Sequence, residues 1–495
     1  MPDVEPSLAL AGRPLEGRPD GTLAPADPVR VDVVGGRVES IRPWTGRERA
    51  EVGGPDAVLA PGLSDCHAHL LAAAAARTAL DLRDDPPARL VDLFERLRAH
   101  AAGRPAREWV RVRGYDESRL EERRHPTDRE LESVLPGRPV RLRHATLHAS
   151  VLSRAALERV AGGLGLGDAE RDSSAGFLVG REAELTALSA SGRADPSDGL
   201  AHVGAELASS GVTCVDDITA SNDAGRVGLL AEAAERGWLP QRLRAWLRDA
   251  DELDSARRAA RDRVELAGVK LLPRSEEEAR APGFGQAIAR ARRAGLPVAI
   301  HAVEPDVIGA ALDALESAPP RAGAAAAPDR LEHCSLCPPL LVERLAASRV
   351  AVVTQPAFLV ARGAKYSREV EPPLWPWLYP VGSLIHAGVL VAAGSDTPVI
   401  PSDPRMCFVG ATTRRSTEGV VFCEGEAIPE EAALELRTRS AARVRGDADA
   451  ERPWLRSGAR ADFALLEDAP RGEILSRWKV RETVLAGQIF GADAS

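Results

Sequence analysis

At 495 residues the chain is too long for one small domain, whereas a barrel of about 250 to 400 residues with a smaller partner would use it up. The formal charge of -9 comes from interspersed acids and bases, which excludes a basic face for nucleic acid or anionic lipid and leaves a small-molecule substrate as the expected partner. Six cysteines at irregular spacings exclude a disulfide framework, no apolar run reaches membrane-spanning length, and Met1 to Gly21 lacks a basic stretch followed by an apolar core, so a cytoplasmic protein is expected.

The opening segment alternates apolar and polar residues in Val31–Val34, turns at Gly35-Gly36 and resumes at Val38–Ile41, which predicts a hairpin. Asp462–Leu466 and Glu482–Leu485 repeat the pattern near the other end, so the two ends are expected to pair into a small β-sandwich. Between them, short apolar runs alternate with Ala/Arg/Glu/Leu-rich stretches of helical period, as at Leu207–Val215, Gly268–Leu272 and Val298–His301. Such alternation predicts an α/β fold, a (β/α)8 TIM-like barrel with a small β-sandwich domain built from both chain ends. The expected boundaries are 1–60 and 446–495 for the sandwich and 61–445 for the barrel, with an insertion at about 81–199.

Pro61 to His69 is the sharpest local signal, an apolar entry that ends in His67-Ala68-His69. On a strand, residues two apart share a face, so both histidines could hold one metal there, with Asp65 as a supporting partner and Cys66 turned away. The plainer alternative is two histidines in an ordinary turn. Further candidates arrive at strand ends, where a barrel presents its chemistry: His301 closes Leu296–Ile300, His333 follows Asp329–Glu332, and Asp396 follows Val389–Ser395. Asp396 could bind metal and take a proton from water, or cap the next turn. Lys270 is one of only three lysines, with Lys365 and Lys479, among 64 basic residues. Buried, its free amine could take up carbon dioxide as a carbamate; exposed, it is an ordinary strand-end lysine.

In this order the stretches resemble the amidohydrolase superfamily, in particular amidohydrolase family 3. The resemblance is carried by Pro61–His69, Gly114–Ser118, His148–Ser153, Ser210–Val215, Gly268–Leu271, Arg330–His333, Gly394–Val399 and Gly458–Phe463. It implies hydrolysis of a non-peptide carbon–nitrogen bond, amide-type, by metal-bound hydroxide with Asp396 as general base. It further implies a divalent metal, usually zinc, with His67 and His69 on one ion, His301 and His333 on a second, Lys270 as bridging carbamate and Asp396 completing the first. His148 and Tyr115 are the implied substrate contacts.

Two features depart from the family's pattern. The usual Ala-Asp-Gly run after the lysine is replaced by Leu272-Pro273-Arg274, and His301-Ala302-Val303-Glu304 matches the His-x-x-Glu of the superfamily's deaminases. The alternative is therefore a mononuclear zinc deaminase of an N-heterocycle with Glu304 as proton shuttle, holding one ion rather than two. The plainer and favoured reading is that Glu304 merely begins the following helix, where an acid and Pro305 suit the first turn. Cys334-Ser335-Leu336-Cys337 lacks the second pair of a zinc ribbon and is expected to be structural. Arg405 and Arg414 are candidates for a substrate carboxylate, Trp375, Trp377 and Tyr379 for an aromatic wall, and a homodimer is expected from frequency alone.

Overall fold

The computed structural model describes residues 8–491 apart from 84, 147–148, 168, 171–173, 182–184, 186–187, 189–196, 324–326, 469 and 471. The described chain forms two compact units, residues 1–70 with 203–495, and residues 71–202.

Eight short apolar runs of the first unit make a parallel sheet in strict chain order. We number them β1 (Leu63–Ala68), β2 (Val212–Asp217), β3 (Arg242–Leu247), β4 (Val264–Leu271), β5 (Val298–Ala302), β6 (Arg330–His333), β7 (Ala351–Thr354) and β8 (Val391–Ala393). Nearly every residue of these strands is buried, as both faces of a parallel sheet require when helices cover the outside and side chains fill the inside. Helices follow the strands, for example Pro305–Ser317 after β5 and Pro339–Ala347 after β6, each with proline in its first turn, where the missing N–H goes unused. The sheet is a nearly closed TIM-like barrel. Between β8 and β1 no regular ladder forms, but the Ala68–Thr397 bridge, the Asp396 N–H donated to the His67 carbonyl (2.7 Å) and the His69 N–H donated to the Thr397 carbonyl (2.9 Å) join the edges.

Gly394 makes that closure possible. A Cβ at this position would lie 2.4 Å from the His67 Cβ and 2.5 Å from the His67 nitrogen, so only glycine lets the end of β8 cross β1 here.

The two chain ends meet as expected. Val29–Val34 pairs with Arg37–Pro43 as the hairpin, and Phe463–Leu466 lies between Val52–Pro61 and Val480–Leu485. Together with Leu8–Gly17, Leu23–Pro25 and Gln488–Gly491 they form one eight-stranded mixed sheet. Leu10, Val31, Leu59, Phe463 and Val484 pack a core on it.

The second unit holds a five-stranded sheet in the order Phe177–Val179, Ala149–Leu152, Val140–His144, Val110–Tyr115, Leu80–Asp81. Leu93, Leu97, Val110, Val112, Leu131 and Leu142 bury its core. No helix among the described residues is long and apolar enough to cross a membrane.

Replacing Gly394 by alanine should press a methyl into the His67 backbone. We expect Gly394→Ala to destabilise the protein by about 1–3 kcal/mol, read as a lower urea midpoint with an unchanged slope.

Candidate metal centre

Four imidazoles line up at the C-terminal ends of β1, β5 and β6. Ring centroids are 5.3 Å apart for His69 and His67, 4.7 Å for His67 and His333, and 4.6 Å for His333 and His301. Asp396, just past β8, reaches the same place: its Oδ1 lies 3.1 Å from His69 Nε2 and 3.5 Å from His67 Nε2. One ligand atom each from His67, His333 and Asp396 fall within 4.8 Å of one another, so a single ion at their centre is within reach of all three.

The hydrogen bonds behind the rings decide which nitrogen faces the centre. His67 Nδ1–H donates to Glu332 Oε2 (2.6 Å), and His333 Nδ1–H donates to the Gln355 amide oxygen (2.7 Å). Both partners only accept, so both rings carry the proton on Nδ1 and turn an Nε2 lone pair outward. His69 Nδ1 lies 3.1 Å from the Thr219 hydroxyl, whose oxygen can accept a hydrogen bond from Nδ1–H in the same way.

Glu332 is the upper end of a buried ladder of charge. It accepts from Arg330 Nε (2.6 Å); Arg330 reaches Asp216 (3.1 Å), donates to the Cys66 carbonyl (3.0 Å) and stacks over Trp246 at 4.2 Å. Asp216 in turn pairs with Arg244 (3.2 Å), which donates to Glu265 (2.9 Å). Glu332 and Arg330 are 0 % exposed, and charges so deeply buried persist only when paired. Asp65 accepts the N–H groups of Ser395 (2.9 Å) and His67 (3.2 Å), tying β8 to β1, and Cys66 packs outward among Ala351, Val353 and Ala392.

Electrostatics favour neutral imidazoles. Burial, then the nearby Lys270 ammonium, pushes His301 down to about 4; burial first also holds His67 and His333 well below the usual histidine range. Lys270 is itself only 4 % exposed, is pushed down to about 8 by burial, and its Nζ has no hydrogen-bond partner among the described residues. Two of the candidate positions hold left-handed backbone, His333 at φ 75° and Asp396 at φ 61°. Such conformations cost roughly 1–3 kcal/mol each and recur at functional sites. The nitrogen and oxygen donors, the outward lone pairs and the orphaned amine fit a divalent metal.

Glu304 stands at the N-cap of helix Pro305–Ser317, but its side chain makes no capping bond; burial, then Asp306, raises its carboxyl above the usual range. Tyr115 belongs to the second unit, where its hydroxyl lies 3.2 Å from His125 Nδ1, and His148 lies outside the described residues. Arg414 is not free to meet a substrate: fully buried, it donates to the carbonyls of Phe422, Tyr379 and Leu378 (2.9, 2.8 and 2.6 Å). Arg405 forks onto Asp403 at the surface. Of the aromatic candidates, Tyr379 is buried with its hydroxyl 2.8 Å from that of Tyr366, and Trp375 donates to the Val370 carbonyl. Cys334 and Cys337 are buried and unpaired.

A profile of the amidohydrolase family matches residues 56–490. The chain belongs to the amidohydrolase family. It is accordingly a hydrolase acting on carbon–nitrogen bonds other than peptide bonds. This amidohydrolase is 27 % identical over 496 residues to the N-substituted formamide deformylase of Arthrobacter pascens, covering 88 % of this chain and 90 % of that one. It is 24 % identical over 490 residues to the putative amidohydrolase YtcJ of Bacillus subtilis (strain 168), covering 89 % and 90 %. In three dimensions it superposes on the crystal structure of an uncharacterized metal-dependent hydrolase from Pyrococcus furiosus with a TM-score of 0.73 at 22 % identity, covering 93 % of this chain and 99 % of that one.

Two outcomes test the electrostatics. Glu332→Gln keeps the shape but cannot accept from both His67 and Arg330; we expect divalent-metal affinity to fall about 10–100-fold and stability by about 3–5 kcal/mol, read by metal titration and urea unfolding. For pH, His301 binds its proton less readily folded than unfolded, so the unfolded chain takes up more protons as pH drops from about 6.5 to about 4. The metal-stripped protein should therefore be fully stable above that window and lose stability through it, and His301→Asn should flatten the slope of unfolding free energy against pH there.

Proposed function

We propose that this amidohydrolase cleaves a small linear amide-type bond at a centre held by His67, His69, His301, His333 and Asp396, with Lys270 as a carbamate bridge and zinc as the metal. The observation that carries the proposal is the approach of His67, His333 and Asp396 ligand atoms to within 4.8 Å, beside a buried lysine amine with no hydrogen-bond partner among the described residues. Such an amine can add carbon dioxide, releasing a proton and leaving an anionic oxygen pair suited to two ions. When bound, the metal supplies Lewis acidity and lowers the pKa of a coordinated water. Asp396, whose Oδ1 faces both His67 and His69, takes the proton of the attacking water and passes it to the departing nitrogen. The formamide deformylase likeness favours a short acyl group on a substituted amine. His148 and Tyr115 are assigned to substrate binding by the family resemblance alone.

The same reading takes 61–445 as the barrel with an insertion at about 81–199, and the sheet of both chain ends, 1–60 with 446–495, as the family's small β-sandwich. Six unpaired cysteines suit a cytoplasmic enzyme. A second reading, a mononuclear deaminase of an N-heterocycle, is favoured by one observation: the Glu304 carboxyl caps nothing and is raised by burial, as a proton shuttle requires.

Metal content, intact mass and a substrate screen separate them. Two divalent ions in the barrel centre, a mass increment of one carbon dioxide on Lys270 and turnover of N-acyl or N-formyl amines are expected. One ion there, an unmodified lysine and release of ammonia from a heterocycle would establish the deaminase instead. His67→Ala should abolish turnover with an unchanged circular dichroism spectrum; substantial residual activity removes His67 from the centre.

A further inference from the structure

Only three tyrosines occur in the chain, and two of them, Tyr366 and Tyr379, meet hydroxyl to hydroxyl at 2.8 Å. Tyr366 lies on the helix Ala357–Glu369 that follows β7, and Tyr379 comes just after the short helical turn Pro372–Trp377.

Three tethers tie this pair to the strand ends that carry the candidate ligands. The Tyr379 N–H donates to the Ser335 carbonyl (2.8 Å), two residues beyond His333. The Leu336 N–H donates to the Val303 carbonyl (3.0 Å), beside Glu304, so the ends of β5 and β6 share one frame. Arg362, one helical turn before Tyr366 and on the same face, donates from Nη2 to the Val399 carbonyl (3.0 Å), and the Val399 N–H donates to the Asp396 carbonyl (2.9 Å). The Tyr366 side chain is thereby held on the side of the barrel where His301, His333 and Asp396 gather, and the charges of Asp396 and Glu304 both act on its hydroxyl through space.

Tyr379 is fixed from every direction. Its backbone is left-handed at φ 43°, a conformation side chains with a Cβ rarely adopt, and the buried Arg414 clamps the turn by donating to the carbonyls of Tyr379 (2.8 Å) and Leu378 (2.6 Å). The hydroxyl pair then has one proton to spare, because two hydroxyls carry two protons and a single one makes the bond between the oxygens. Tyr379, only 3 % exposed, has to place its proton inside the protein and gives it to the Tyr366 oxygen; Tyr366, half-buried, keeps its own for a group in the barrel mouth. Burial raises both hydroxyls above the usual tyrosine range, so both remain protonated donors.

Resting on the amide-hydrolysis reading above, we propose that Tyr366 is a further substrate-contacting residue, its hydroxyl donating a hydrogen bond to the acyl oxygen of the bound amide, with Tyr379 as the positioning residue that aims it. As water adds to the acyl carbon, negative charge gathers on that oxygen and the hydrogen bond strengthens, while the phenol keeps its proton throughout. A donor preset in this way costs no reorganisation when the charge appears, which is what the anchored Tyr379 provides.

The test uses the full-length zinc-loaded enzyme, an N-formyl or N-acyl amine that the wild type turns over, and acetohydroxamate as a carbonyl-bearing ligand. Tyr366→Phe should lower kcat about 10²–10³-fold with KM little changed and zinc content intact. Tyr379→Phe should lower kcat about tenfold with the same split, and Tyr366→Phe should weaken acetohydroxamate binding about fivefold by calorimetry. Unchanged kcat in Tyr366→Phe, or a fall matched by loss of bound zinc, overturns the assignment. Where the wild type turns over no amide, the amide reading fails by itself, and acetohydroxamate decides whether Tyr366 donates to a carbonyl oxygen at this centre: unaltered affinity in Tyr366→Phe, or no binding to the wild type, overturns it.

Discussion

A carboxylate buried at the heart of the barrel, held between an imidazole and a guanidinium, is the constraint on which the centre depends. Arg330 pairs with the fully buried Glu332, and Arg330, Asp216 and Arg244 continue the alternation of charge across β6, β2 and β3 until Glu265 reaches partial solvent. The ladder fixes how these strands face one another, because a slip of one residue would turn an unpaired charge into the interior or out of it. Its upper end also sets the proton of His67 on Nδ1. Stability of the barrel and orientation of a candidate ligand are thus one interaction.

Two further candidate positions are set by strained backbone. In a regular strand, neighbours point to opposite faces, so Glu332 and His333 should not both reach His67. The positive φ of His333 breaks the alternation at the end of β6, and the Thr354 hydroxyl holds the turned carbonyl at 2.8 Å. Asp396 is turned in the same way beyond β8, where its N–H finds the His67 carbonyl in the gap that Gly394 leaves. Strain is tolerated at both places because hydrogen bonds from neighbouring strands hold each turn closed.

This division explains what could be read from the chain. Alternating βα texture, the hairpin at Val29–Pro43 and the pairing of distant ends follow from local periodicity, and His67, His69, His301, His333 and Asp396 stand out because polar residues interrupt apolar runs at strand ends. Glu332, Arg330 and Asp216 do not stand out, since they sit inside strand segments as charges and become core residues only through partners more than a hundred positions away. Gln355 and Thr219 carry a fainter signal, polar residues just past β7 and β2, visible only once those strand ends are known. Arg414 misleads for the opposite reason: among so many arginines nothing marks the one whose guanidinium is spent on backbone carbonyls.

Lys270 then raises a question that the burial around it answers. Its ammonium depresses His67, His301 and His333 through space, so its positive charge is felt at the nitrogens that face the centre. A divalent ion placed among those nitrogens would meet the same repulsion with twice the charge. Occupancy by a cation and the charged form of Lys270 therefore oppose one another, and by linkage each ion bound must favour loss of the Lys270 proton. Burial has already eased that loss by pushing the Lys270 amine down to about 8. The desolvation that keeps the imidazoles neutral and able to ligate is the same desolvation that readies the lysine to yield its charge, so ligand set and lysine are prepared for a cation by a single property of the site.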